Sequence, residues 1–199
     1  MISLTNTNPT NKLFILLFIF SGFLVTSGCT ALFIGGAAAT TSVAVDKRTA
    51  GDMVEDKSIT IKFHHEVYSN PKLKDTTNID MVSFNGWVLL TGEVDSQENK
   101  DLVYNVALNI KNVKRVFNEL VIEKPRSFQS IATDSYIDSK IQLKLLGSLP
   151  KIVYHTTVVV NNRTVYLMGL LTKQEADSVV NIVKNTSGIK KIVKLFDYQ

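Results

Sequence analysis

The chain has 199 residues, 45% of them hydrophobic and 20% charged, with 22 basic and 18 acidic side chains. So much apolar material excludes wholesale disorder, and four prolines with ten glycines exclude a collagen-like or low-complexity chain. One cysteine excludes a disulfide framework and any multi-cysteine zinc or iron–sulfur site, while the length admits one ordinary domain or two small ones.

No residue from Leu13 to Val45 is charged. Leu13–Val25 is almost pure Leu, Phe and Ile, but its 13 residues fall short of the about 20 needed to span a bilayer core. Lys12 ahead of it and small residues behind it have the layout of a secretory signal. Val25-Thr26-Ser27-Gly28-Cys29 resembles the lipobox of bacterial lipoproteins, with Thr26 where leucine is commonest. That resemblance implies removal of residues 1–28, a lipid-modified Cys29 carrying acyl chains such as palmitate, and, because Thr30 is not aspartate, the periplasmic face of the outer membrane. The alternative is that Cys29 is a small apolar residue inside one long membrane helix running to Val45. Ser21-Gly22, Ser27-Gly28, Gly35-Gly36 and Thr40-Thr41-Ser42 would make it a poor helix. Residues 29–55 read as the lipidated N-terminus and a tether, whose Ala, Gly and Thr bury too little area to fold alone.

The remainder is one unit written twice, with a first domain at 56–123, a linker at 124–133 and a second domain at 134–199. Each begins with a helix whose apolar residues recur at i, i+4 and i+8, namely Ile59, Phe63 and Val67, then Ile137, Ile141 and Leu145. Strands Ile79–Phe84 and Trp87–Thr91 follow in the first copy, Thr157–Val160 and Thr164–Met168 in the second. They are joined by Asn85-Gly86 and Asn161-Asn162, residues that tolerate the positive φ of tight hairpins. A second helix comes next, about Gln97–Ile110 and Lys173–Asn185, then a last strand, Arg115–Ile122 and Lys191–Phe196. The class is α+β: two tandem αββαβ domains, each a three-stranded mixed sheet with two helices on one face. Domains this small bury only ~60% of their unfolded surface, so they are expected to be individually marginal and to lean on each other.

The order of helix, Val-x-Leu-x-Gly strand at Val88–Gly92 and Val165–Gly169, Gln-Glu helix at Gln97-Glu98 and Gln174-Glu175, and a last strand opening on Val113-Lys114-Arg115-Val116 and Ile189-Lys190-Lys191-Ile192 resembles the BON domain. Two such domains behind a lipobox resemble the dual-BON outer-membrane lipoproteins, across nearly the whole mature chain. The resemblance implies no catalytic activity, phospholipid binding, and a role in outer-membrane integrity with links to cell division.

The residues themselves point to one helix for lipid contact. At 100° per residue, Tyr136 and Leu143 fall nearly opposite the Ile137–Ile141–Leu145 stripe, flanked by Lys140 and Gly147 with Lys144 at one edge. The matching positions of the first copy are Ser58 and His65, beside Lys62, so that helix reads as an ordinary solvated one. An aromatic with a polar tip suits the headgroup boundary, and each lysine near an anionic surface contributes about 1 kcal/mol. Charge shows the same asymmetry: residues 56–123 hold 8 basic and 10 acidic side chains, residues 134–199 hold 9 and 5. The expected partner is anionic phospholipid such as phosphatidylglycerol or cardiolipin, not nucleic acid, which an exported, tethered protein rarely meets. Two alternatives stay open: Tyr136 and Leu143 dock against the first domain, or they form the docking face of an adaptor for the outer-membrane protein assembly machinery. A glycan-binding module would need an aromatic platform, which only Trp87, Tyr136, Tyr154 and Tyr166 could supply.

No enzyme, cofactor site or metal site is legible. His64-His65 point about 100° apart on a helix and cannot share an ion, and no Walker loop, Gly-x-Ser-x-Gly or His-Glu-x-x-His occurs. Asp95 with Glu98 and Asp134 with Asp138 could pair for glycoside chemistry, but as residues at helix starts they read as caps.

Overall fold

The computed structural model describes residues 46–73 and 77–199; the expected signal, Cys29 and most of the tether lie outside the described residues. The described residues from Asp46 to Gln199 belong to one compact unit. Its elements are α1 (Ala50–Ser69), β1 (Thr77–Phe84), β2 (Trp87–Val94), α2 (Gln97–Asn109), β3 (Arg115–Asn118), β4 (Val121–Ile122), α3 (Phe128–Ser148), β5 (Thr156–Asn161), β6 (Thr164–Leu171), α4 (Lys173–Lys184) and β7 (Lys191–Tyr198). A 3-10 turn at Val153–His155 leads into β5.

Each helix starts where a hydroxyl can satisfy its first amides. Thr49 and Asp52 cap α1 reciprocally, as do Thr172 and Glu175 for α4, while Ser96 and Ser127 accept from Asn99 and Ser130 at α2 and α3. Those caps set α1 at Ala50 and α3 at Phe128, each several residues ahead of the starts expected at Asp56 and Asp134. β1 and β2 form an antiparallel hairpin, and β3 and β4 add in parallel to β2; Glu119 and the buried Leu120 interrupt what the sequence suggested as one strand. The second sheet has the order β5-β6-β7, with β7 parallel to β6.

The first hairpin turns through Asn85 and Gly86, both at positive φ, as expected. The second turns through Asn162 and Arg163, one residue later than expected, because Asn161 still pairs with Thr164. Arg163 holds a left-handed backbone at φ 61° and donates from Nε to the Gly188 carbonyl at 2.7 Å. Gly92 and Gly169 sit opposite Ile79 and Thr156 where the hairpins draw close: a Cβ would lie 2.0 Å from the Asn78 oxygen or 2.7 Å from the His155 oxygen.

Strand alternation divides the side chains between three cores. Met81, Val88 and Leu90 face α1 and α2, together with Ile59, Phe63, Val67, Val103 and Ala107. Val158, Val165, Leu167 and Phe196 face α3 and α4, together with Ile137, Ile141, Leu145, Val179 and Val183. The intervening residues build a third core between the sheets: Phe84 and Leu89 from one, Tyr166, Met168 and Leu195 from the other, flanked by Trp87, Phe117, Val159 and Val193. The molecule is therefore a four-layer helix–sheet–sheet–helix sandwich, each sheet buried on both faces. Among the described residues, the members of the three cores lie between Ile59 and Phe196, so the segment from Asp46 to Gln199 encloses all three.

Candidate membrane-contact face

A repeated ionic device sets how the helices sit on the sheets. Asp56, in the middle of α1, accepts from the Asn85 and Gly86 amides at 2.8 and 2.9 Å and from the Ser83 hydroxyl at 2.7 Å. Asp134, in the middle of α3, accepts from the Asn162 and Arg163 amides, both at 2.8 Å. Each buried carboxylate thus holds its own hairpin turn, and each is paired with an arginine eight residues earlier: Arg48 to Asp56 at 3.2 Å, Arg126 to Asp134 at 2.8 Å. Arg126 reaches further. It also approaches Glu93 of β2 at 2.7 Å and Asp80 of β1 at 3.5 Å, so this linker residue, 11% exposed, ties both domains together. Asp134 is therefore a turn clamp inside a helix, not an acid at a helix start.

The other carboxylate pair is equally committed to structure. Asp95 accepts from Ser96 and Asn99, and Glu98 pairs with Lys72 at 2.9 Å. Burial pushes the Asp138 carboxyl up, partly offset by a hydrogen bond from Gln142. Among the described residues, no group of three or more His, Cys, Asp or Glu side chains comes together as a metal site.

The segment before α1 does more than the tether expected there. The Lys47 amide donates to His155 Nδ1 at 3.1 Å and its ammonium pairs with Glu175 at 2.7 Å, so the chain straps the second domain before entering the first. Arg48 stacks 4.1 Å over Phe84 on the way. Burial, then the Lys47 charge, lowers the His155 pKa and favours the neutral ring that this bond needs.

On the outer face of α3, Tyr136 and Leu143 are 66% and 70% exposed; they do not dock against the first domain. Two residues missed from the sequence join them, Phe128 at 85% and Leu146 at 50% exposure. All four fall in a sector of about 80° at 100° per residue. The sequence pattern places Phe128 in the linker, and the Ser127 cap, a Ser-Phe step, is the signal that reveals it. Lys140 lies 5.7 Å from the Tyr136 ring and donates to Ser187 at 2.7 Å. Lys144 donates to the Asn185 carbonyl at 2.7 Å and to Thr186, at the end of α4 where a cation offsets the helix dipole. Both lysines are thus held beside the apolar stripe rather than projecting freely. Gly147 is exposed, and a side chain added there would meet nothing within 4 Å.

The first helix departs from its expected solvated character. Val54, Ile61 and Tyr68, spaced by seven, are exposed on one side of α1, with Met53 next to them. Ser58 and His65 lie beside that stripe as the wheel requires, so the matching positions are polar while their neighbours are not. Among the described residues no helix is long and apolar enough to cross a membrane.

Two helices on a mixed sheet, repeated and joined face to face, define the class. The chain belongs to the BON-domain family, whose model matches residues 55–124 and 133–199. It is 32% identical over 191 residues to the outer membrane lipoprotein DolP of Haemophilus influenzae, covering 96% of this chain and 97% of that one. It is 28% identical to the 21 kDa hemolysin of Actinobacillus pleuropneumoniae (77% and 79% covered) and 27% identical to osmotically-inducible protein Y of Escherichia coli (71% and 72%). The chain is thus a tandem BON-domain protein related to the DolP lipoproteins.

Proposed function

We propose that the protein is a non-catalytic lipoprotein, anchored through Cys29 at the periplasmic face of the outer membrane, that lays the outer face of α3 on anionic phospholipid and so supports membrane integrity and cell division. The observation that carries this is the stripe of Phe128, Tyr136, Leu143 and Leu146 with Lys140 and Lys144 beside it. Burying such side chains is favourable by about 1.5–3 kcal/mol each when complete, less at an interface. The full-length likeness to an outer membrane lipoprotein supports the location.

The test uses residues 46–199 with vesicles of phosphatidylcholine containing phosphatidylglycerol or cardiolipin. Binding is expected to be weak, to fall with salt and to drop at least tenfold in Leu143→Glu, with the unfolding midpoint unchanged because Leu143 touches no core. Equal binding by parent and variant overturns the assignment to α3. A protein-docking role for a partner such as the outer-membrane assembly machinery is favoured by a different observation, the Val54–Ile61–Tyr68 stripe, which lies on the opposite helical layer of the sandwich.

A further inference from the structure

The domain junction leaves a cleft of about 480 Å³ whose walls include two strand edges, Asp80–Val82 of β1 and Val158–Val160 of β5. α1 contributes His64, α3 contributes Ile131, Ser135, Asp138 and Ser139, and Arg126 and Asp134 close one end. Both strands are the free edges of their sheets. In a two-residue hairpin the pair flanking the turn exchanges both hydrogen bonds and the pattern then alternates. From the registers Phe84↔Trp87 and Asn161↔Thr164, the main-chain groups of Met81, Val158 and Val160 point away from their partner strands. Among the described residues, these groups have no other partner.

Natural sheets guard such edges with bulges, prolines or charges. β5, Thr-Thr-Val-Val-Val-Asn, has none of these, and its register runs without a bulge. β1 has one charge, Asp80. The cleft holds three carboxylates, Asp80, Asp134 and Asp138, against one guanidinium. Arg126 pairs with Asp134 at 2.8 Å and more loosely with the exposed Asp80 at 3.5 Å, and one carboxylate oxygen of Asp138 is buried without a hydrogen-bond donor. Unpaired strand edges and an unpartnered acceptor ask for the same things: amide donors in an extended chain, and a cation.

We propose that this cleft receives an extended peptide segment bearing lysine or arginine, which adds a short strand to the edges of β1 and β5 and places its cation at Asp138 and Asp80. The mode is strand addition, in which main-chain bonds supply affinity and the charged pocket supplies choice. This partner differs from the lipid proposed for α3 and uses none of the same side chains.

The experiment is an NMR titration of 15N-labelled residues 46–199 with the acetylated, amidated pentapeptide Thr-Val-Lys-Val-Thr. Its arms are the same peptide with glutamate for lysine and a version N-methylated on both valines. Saturable shifts and at least tenfold slower amide exchange are expected at Met81, Val158 or Val160. The glutamate peptide is expected to bind at least fivefold more weakly, the N-methylated one not at all, and Asp138→Asn to reduce the lysine preference at least threefold. Shifts confined to the helices, no shift at millimolar peptide, equal binding of the lysine and glutamate peptides, or edge protection arising from self-association of the chain would each overturn the proposal. None of these outcomes depends on vesicle binding.

Discussion

The two domains share an interior and part company on their outer helices. Ile59, Phe63 and Val67 are replaced by Ile137, Ile141 and Leu145 with the same burial and the same partners in the sheet. Across the helix, Ser58 and His65 give way to Tyr136 and Leu143, while Val54, Ile61 and Tyr68 form a separate stripe with no counterpart among the exposed residues of α3 except Leu146. Positions that touch only water have little say in folding, so a contiguous apolar stripe there is not a requirement of the fold and marks a contact surface. The arginines show the same divergence: Arg48 serves the turn of one domain, whereas Arg126 serves the turn of its own and two acids of the other.

The largest expected effect breaks that second comparison. Arg126→Met leaves two buried carboxylates, Glu93 at 2% exposure and Asp134, without their countercharge, and should cost about 3–5 kcal/mol in urea unfolding. Arg48→Met should cost about 1–2 kcal/mol, because Asp56 keeps three other donors. Equal losses would show that Arg126 does not join the domains. Met168→Ala, in the core between the sheets, should cost about 2–5 kcal/mol and destabilise both domains together. Resonances of the first domain that kept their original urea midpoint would contradict a shared core.

Smaller effects sharpen the contrast between helices. Phe128→Ser should weaken vesicle binding roughly fivefold, about 1 kcal/mol of lost apolar contact, whereas Ile61→Ser should change it less than twofold. Sedimentation with phosphatidylglycerol vesicles measures both, and reversed sensitivities would move the contact to α1. The phenol of Tyr166, buried and 3.4 Å from Glu119, is pushed up to about 12. Its contribution is complete below its ordinary pKa of 10.0 and lost as pH rises through the folded value, so ultraviolet titration should find one tyrosine ionising late and stability falling across that window. His155 works in the other direction. Its lowered pKa means that the strap is held fully above the ordinary 6.5 and weakens as pH falls below it. The protection factor of the Lys47 amide, its exchange rate relative to the intrinsic rate at the same pH, should fall with acid in the parent and stay constant in His155→Gln. A protection factor in the parent that does not change with acid would separate the strap from the histidine.

Much of this was legible in the chain because periods of 3.6 and 2 state which face of an element is buried, and because the motif occurs twice. The first-helix cores, the Asn85-Gly86 turn and the exposure of Tyr136 and Leu143 follow from those patterns alone. Asp134 did not, since an acid followed four residues later by another looks like a helix cap until its hairpin is in place. The second turn slipped by one residue because Asn162 and Arg163 take positive φ with help from Gly188, a partner 25 residues away. Phe128 was hidden because, within a proline-containing linker, the Ser127 cap is the one local sign of where the next helix begins.

The amino-acid order alone determined two repeated αββαβ units and the apolar outer side of α3 at Tyr136 and Leu143, since local periodicity and turn chemistry need only neighbours along the chain. The meeting of the second sheet faces, the Arg126 hub and the cleft between two strand edges were decided only in three dimensions. Each depends on side chains tens of residues apart, and strand alternation states that a face must be covered without naming what covers it.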